Sequence, residues 1–164
     1  MKFEISKQNI LLLAGVCLLP FLLLGFFNFP GADDYSYANV AIAKGFWESQ
    51  IHWYHAWSGR YIATVLLSIS PVVYHWFIGY KLIGIVTFLL FMGSSFVCVS
   101  ALCGTLVEKS KVHAVFWVSS LLYLCEMPSI TEAFHWFPGV TNYTLALMIF
   151  LLGVGYYVQS TGKS

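Results

Sequence analysis

Apolar positions in this chain fall in long blocks, and the charged residues mark where the blocks stop. The runs free of Asp, Glu, Lys and Arg are 8–32, 61–80, 82–107, 112–125 and 133–162. A helix needs about 20 apolar residues to cross the ~30 Å hydrocarbon core of a bilayer, so blocks of this length predict membrane-spanning helices. The first run, 25 residues from Gln8 to Ala32, makes about 38 Å of helix. It is longer than the ~7–15 residue apolar stretch of a secretory signal and ends in Phe26-Phe27-Asn28-Phe29-Pro30, not in a small-residue cleavage site. It reads as an uncleaved first span. The block 61–80 is different. Pro71 near its middle ends or kinks a helix, and Tyr74, His75, Trp76, Phe77 and Tyr80 are residues of the membrane–water interface. The last block opens with the polar and turn residues around Trp136-Phe137-Pro138-Gly139.

These patterns predict an all-α integral membrane protein with about four transmembrane helices, near 10–29, 78–104, 112–126 and 141–158. The outer segment 30–80 carries surface helices, and a smaller outer loop covers 126–140. Asp33 or Asp34 is placed to cap a short helix running to Lys44, Gly45 to break it, and Phe46 to Trp57 to form a second. Trp47, Ile51 and Tyr54 share one face of that second helix. The distribution of basic residues sets the orientation. With four crossings, Lys2, Lys7, Lys109, Lys111 and Lys163 are cytoplasmic, whereas Lys44, Arg60 and Lys81 are outside. This five-to-three excess obeys the positive-inside rule with a cytoplasmic N-terminus.

Composition agrees with a membrane protein. Charged residues are 9% and hydrophobic residues 59%, against roughly 25% charged in a soluble domain. A net charge of +1 offers no basic surface for nucleic acid. Cys17, Cys98, Cys103 and Cys125 all lie in apolar runs, which predicts buried free thiols and neither a disulfide framework nor a zinc site.

Candidate chemistry gathers in the outer segments. Asp33-Asp34 follow the first span. Adjacent carboxylates at a partly dry boundary raise one another's pKa towards that of a useful base, can hold a divalent cation through oxygen, or simply cap a helix. Glu48, His52 and His55 share a helix face but match no standard metal motif, and interfacial anchoring is the competing reading. Trp57-Ser58-Gly59-Arg60-Tyr61 contains the chain's one arginine. Its guanidinium suits a phosphate, bidentately, and equally suits snorkelling to a lipid headgroup. Glu132, His135, Trp136, Asn142 and Tyr143 bring acid, imidazole, amide and aromatic rings to the second outer loop. Carboxylates with aromatic platforms suit a carbohydrate, whose C–H faces stack and whose hydroxyls need acceptors. An aromatic belt is the plainer reading of the same loop.

With Asp33-Asp34-Tyr35 after a first span, surface helices ending in Trp57-Ser58-Gly59-Arg60-Tyr61, and Trp136-Phe137-Pro138-Gly139 closing on Asn142-Tyr143, the chain resembles the front of a GT-C-type polytopic membrane glycosyltransferase. It is similar in particular to a group of bacterial membrane proteins related to those enzymes. The resemblance implies a catalytic acid in the first outer loop, Asp33 as base with Asp34 beside it. Tyr35, Trp57, Arg60, Glu132, His135, Trp136, Asn142 and Tyr143 are then the substrate-binding candidates. It further implies a polyprenyl-phosphate-linked sugar as donor, action at the outer face of a bacterial inner membrane, and no cofactor beyond an optional divalent cation. GT-C enzymes have about twice as many spans or more, so the chain reads as the N-terminal part of a longer fold of that type. A non-catalytic small membrane protein is the alternative. A transporter is disfavoured, because the first two spans hold no ionisable group at mid-depth.

Overall fold

The computed structural model describes residues 7–57, 59–104 and 106–162, with no account of the side chains at 7–12, 109 and 110. Among the described residues every regular element is helical. The order is α1 (Lys7–Leu24), a 3-10 turn (Gly25–Phe27), α2 (Ala32–Lys44), α3 (Phe46–Ala56), α4 (Tyr61–Ser68), α5 (Phe77–Gly104) and α6 (Lys109–Glu126). A π-helical turn (Thr131–His135) then leads into α7 (Phe137–Thr161).

Two helices, α5 and α7, are long and apolar enough to cross a membrane. Leu13–Phe27 and Ala32–Lys44 meet at a 46° bend, and counted together as one broken span they bring the number to three. Two or three such helices mark a membrane protein. By contrast α6, the expected third span, carries Lys109, Lys111 and Glu126 within its 18 residues and does not reach that standard.

The outer surfaces of α5 and α7 are as apolar as their inner ones. Leu82, Val86, Leu89 and Leu90 of α5 and Ile149, Phe150 and Leu152 of α7 are all exposed, as expected of helices that face lipid. Their inner faces cross closely. A Cβ added at Gly155 of α7 would stand 3.3 Å from the backbone of Cys98 on α5, and small residues permit such approach where lipid supplies no hydrophobic drive. A core of Leu18, Phe88, Phe91, Met92, Phe116, Leu124, Phe134 and Met148 joins α1, α5, α6 and α7 to the second loop. The four thiols are free; Cys98 is buried as expected, but Cys125 is exposed on α6.

The segment between α1 and α5 breaks where its sequence says it should. Gly45 holds φ +80°, a left-handed conformation that other residues adopt at a cost, and it separates α2 from α3. At the start of α2 the N-cap is Gly31, not an aspartate. Asp34, at the third helical position, accepts the Gly31 N–H at 2.8 Å, which is one half of a capping box. The block 61–80 is not one helix. Here α4 stops at Ser68, Pro71 sits among the turns that follow, and α5 begins at Phe77. Ser49 and Gln50 of α3 both hydrogen-bond the Ser68 hydroxyl, at 3.2 and 2.9 Å, fastening α3 to α4.

The last helix starts earlier than its hydropathy predicts, at Phe137 and not near residue 141, with Pro138 in its first turn where no donor is needed. Over Val140–Thr144 it widens to π geometry, Leu145 N–H reaching back to the Val140 carbonyl.

Candidate functional site

Three sets of contacts bring the segments 30–80 and 126–143 together. The first is a buried acid. Asp34 is 1% exposed, and its Oδ2 accepts the Tyr80 hydroxyl at 2.7 Å as well as the Gly31 N–H. The Tyr80 oxygen in turn accepts the Phe137 N–H at 3.3 Å. This chain of bonds links the start of α2, the start of α5 and the start of α7. Asp34 Oδ1 has no hydrogen-bond partner. Burial raises the Asp34 pKa, the Tyr80 and Gly31 donors oppose the rise, and Asp33 adds to it.

The neighbouring acid lies in a different setting. Asp33 is exposed in the first turn of α2. One residue of helix turns a side chain by ~100°, which sends one carboxylate inward and its neighbour outward. The acid that burial perturbs is therefore Asp34. Asp33 stands near enough to Tyr37 to raise its pKa, after burial, while Arg60 works in the opposite direction. Asp33, Tyr37 and Arg60 thus form one electrostatic neighbourhood between α2 and the start of α4.

The second link is direct. Arg60 donates to Asn142 Oδ1 at 3.3 Å across 82 residues. Asn142 is held by its own amide, which donates to the Pro138 carbonyl at 2.7 Å. Arg60 and Asn142 line a cleft of about 480 Å³, together with Tyr61, Ile62, Tyr143 and Ile149. Its lining combines the polar Arg60, Thr141 and Asn142 with the apolar Ile62, Leu145 and Ile149.

The third link is Tyr143, which also borders a second cleft of about 300 Å³ with Glu132, Trp136 and Tyr123. Trp136 leans on the first loop. A Cβ at Gly31 would lie 3.8 Å from its Nε1.

Five of the expected site residues, Arg60, Glu132, Trp136, Asn142 and Tyr143, thus line two clefts that share a wall. Tyr35 and Trp57 are exposed on α2 and at the end of α3. His135 departs from expectation. It is 3% exposed, and its ring is wedged against Gly84, whose missing side chain makes the room: an added Cβ would come within 2.6 Å of Nδ1. A residue so enclosed does not meet a ligand in either cleft. Burial lowers its pKa, tempered by the nearby Phe21 backbone, and neither ring nitrogen has a well-formed hydrogen bond. The carbonyl of His135 is engaged, accepting from the Asn28 side chain.

Glu48, His52 and His55 line one shallow surface hollow, where Lys44 Nζ lies 3.1 Å from His52 Nδ1. Among the described residues no three His, Cys, Asp or Glu side chains converge to hold a metal ion. The Asp33-Asp34 pair is not such a site either, because its two carboxylates diverge.

Tyr80, Tyr37 and Tyr123 were not singled out from sequence as site residues. Tyr80 and Tyr123 stand near helix ends, where an aromatic reads as an interfacial anchor, and only the packing shows that Tyr80 reaches Asp34 and Tyr123 the second cleft. No protein-family model, curated protein or solved structure matches the chain.

Proposed function

We propose that this chain binds a polyprenyl-phosphate-linked sugar at the outer face of a bacterial inner membrane and works as a GT-C-type glycosyltransferase or its N-terminal part. The observation that carries this reading is the Arg60–Asn142 contact in a cleft that also has apolar lining from Ile62, Leu145 and Ile149. A forked guanidinium matches a phosphate, and the apolar lining matches the attached isoprenoid. In this reading α1, α5, α6 and α7 make four crossings with a cytoplasmic N-terminus. The helices α2 and α3 then lie at the outer interface, with Trp47, Ile51 and Tyr54, all exposed, towards the headgroups.

Asp33 is the base. Its carboxylate accepts the proton of an acceptor hydroxyl, the hydroxyl oxygen bonds to the anomeric carbon, and the bond from that carbon to the phosphate oxygen breaks with its electron pair on the leaving polyprenyl phosphate. Arg60 offsets the charge that develops there. Asp34 and Tyr80 hold the first turn of α2, and so Asp33, in place.

The test uses the purified chain in nanodiscs with a long-chain polyprenyl phosphate as probe. Arg60→Lys keeps the charge and loses the fork, so binding is expected to weaken about tenfold; unchanged binding refutes the phosphate role. With a polyprenyl-phosphate hexose as donor, Asp33→Asn is expected to retain binding and abolish sugar release. A second reading, a non-catalytic membrane protein, is favoured by one observation: Asp34 Oδ2 is engaged in holding segments together. Absence of sugar release from the wild-type chain would decide for it, whereas unaltered release in Asp33→Asn would refute only the Asp33 base.

A further inference from the structure

The 300 Å³ cleft beside Tyr143 is distinct in character from the one headed by Arg60. Tyr123, Met127, Ser129, Glu132, Trp136 and Tyr143 line it. Its volume is at the small end for ligand sites, suited to one small ring and not to a lipid tail. The three aromatic residues come from different elements. Tyr123 belongs to α6 and is fixed by stacking on Phe91, centroids 5.3 Å apart at 26°. Trp136 closes the π-turn and is set between Gly31 and Gly139, where an added Cβ would come within 3.8 and 3.0 Å of it. Tyr143 rises from the widened turn of α7 and is 64% exposed. Neither Trp136 nor Tyr143 stacks on another ring among the described residues. Glu132, at the rim, makes no ion pair or side-chain hydrogen bond among them either.

An uncommitted carboxylate beside uncommitted rings has a definite chemical complement. Pyranose C–H faces are weakly positive and lie on the negative face of an aromatic ring, while adjacent sugar hydroxyls donate to a carboxylate. A detergent or acyl chain would satisfy the rings and leave Glu132 idle. We infer that this cleft is a monosaccharide subsite, with Trp136 and Tyr143 as the stacking walls and Glu132 as the hydroxyl acceptor. The inference rests on the glycosyltransferase reading for its biological sense but not for its chemistry: the site would hold the sugar ring while Arg60, across the Tyr143 wall, holds the phosphate.

The experiment separates the two. Methyl glycosides of glucose, galactose, mannose and N-acetylglucosamine carry no phosphate, so they probe this cleft alone. Saturation-transfer NMR on the whole chain in phospholipid nanodiscs is expected to show transfer to the ring C–H protons of at least one of them. Tyr143→Ala, at an exposed side chain, should lower the response about tenfold with the circular dichroism unchanged. Trp136→Ala should do the same if it folds, and Glu132→Gln should weaken binding and flatten the preference among sugars. Trp47→Ala, on α3, should leave the response intact. No transfer to any of the four glycosides in folded protein overturns the inference, as does transfer that survives Tyr143→Ala and Glu132→Gln together. Loss of polyprenyl-phosphate binding in Arg60→Lys bears on the phosphate reading and leaves this one standing.

Discussion

Tyr80 and Asp34 stand 46 residues apart and are joined by a 2.7 Å hydrogen bond in which the phenol donates to a buried carboxylate. The same phenol oxygen takes the Phe137 N–H, so one side chain bridges both outer loops. Tyr80→Phe removes that bridge and leaves Asp34 with the Gly31 donor alone. A lost bond to a buried charge costs about 1–3 kcal/mol. Thermal unfolding followed by tryptophan fluorescence in micelles should show the loss, with helix content unchanged before the transition.

Asp34 also predicts a pH dependence. Its pKa is raised above the ordinary value of 3.8 by burial. The folded state therefore binds more protons than the unfolded chain between the ordinary and the raised value, and stability falls as pH rises through that window. Asp34→Asn keeps an oxygen for Gly31 and Tyr80 and removes the titration. The difference in melting temperature between wild type and Asp34→Asn should grow with pH across this window in favour of the variant. A difference that is flat with pH would show that Asp34 is not a proton-linked group.

Gly139 is required by space and not by dihedral, since its φ is −65°. An added Cβ would overlap the carbonyl of Glu132, a backbone atom with no freedom to yield. Gly139→Ala should destabilise by about 1–3 kcal/mol, the usual cost of overpacking. Gly155→Leu should act similarly at the α5–α7 crossing, where Val97 and the Cys98 backbone occupy the space. Gly153→Ala, with nothing within 4 Å of the added atom, is the control and should be neutral in the same melts.

The crossing number is open to direct measurement. On a background lacking Cys17, Cys98, Cys103 and Cys125, single cysteines at Glu48, Lys111 and Ser129 report one side each. Four crossings require labelling by an impermeant maleimide at 48 and 129 in intact cells and protection at 111. Reaction at 111 from outside would refute that topology.

Much of the helical layout is legible in the residues. Gly45 announces the break between α2 and α3, Pro71 the end of α4 before it, and the charge-free run after Lys81 the long α5. The site is legible only as a set of residue types. Nothing local distinguishes Asp33 from Asp34, because which of two neighbours faces inward depends on what α2 packs against, and that is set by Tyr80 and Phe137 far along the chain. His135 looks like a site residue for the same reason: its neighbours Trp136 and Glu132 are at the cleft, while the space that takes its ring is made by Gly84. The early start of α7 is hidden because turn residues such as Pro138 and Gly139 are also tolerated in a first helical turn.

The wide turn at Val140–Thr144 has a consequence for how this chain can change. A π turn closes on i→i+5 where an α turn closes on i→i+4, so it holds one residue more than the regular helix around it. Loss of one codon within 140–144 would therefore restore an ordinary helix without disturbing the reading of either flank. The flanks would keep their mutual rotation, because the extra residue is spent within a single turn. What changes is the turn itself: Asn142 and Tyr143 lie inside it and would be re-spaced, while Trp136 and Glu132 before it and the apolar surface of α7 after it keep their directions. The cleft wall carried by 140–144 can thus be altered by a single-residue deletion without re-aiming the helix.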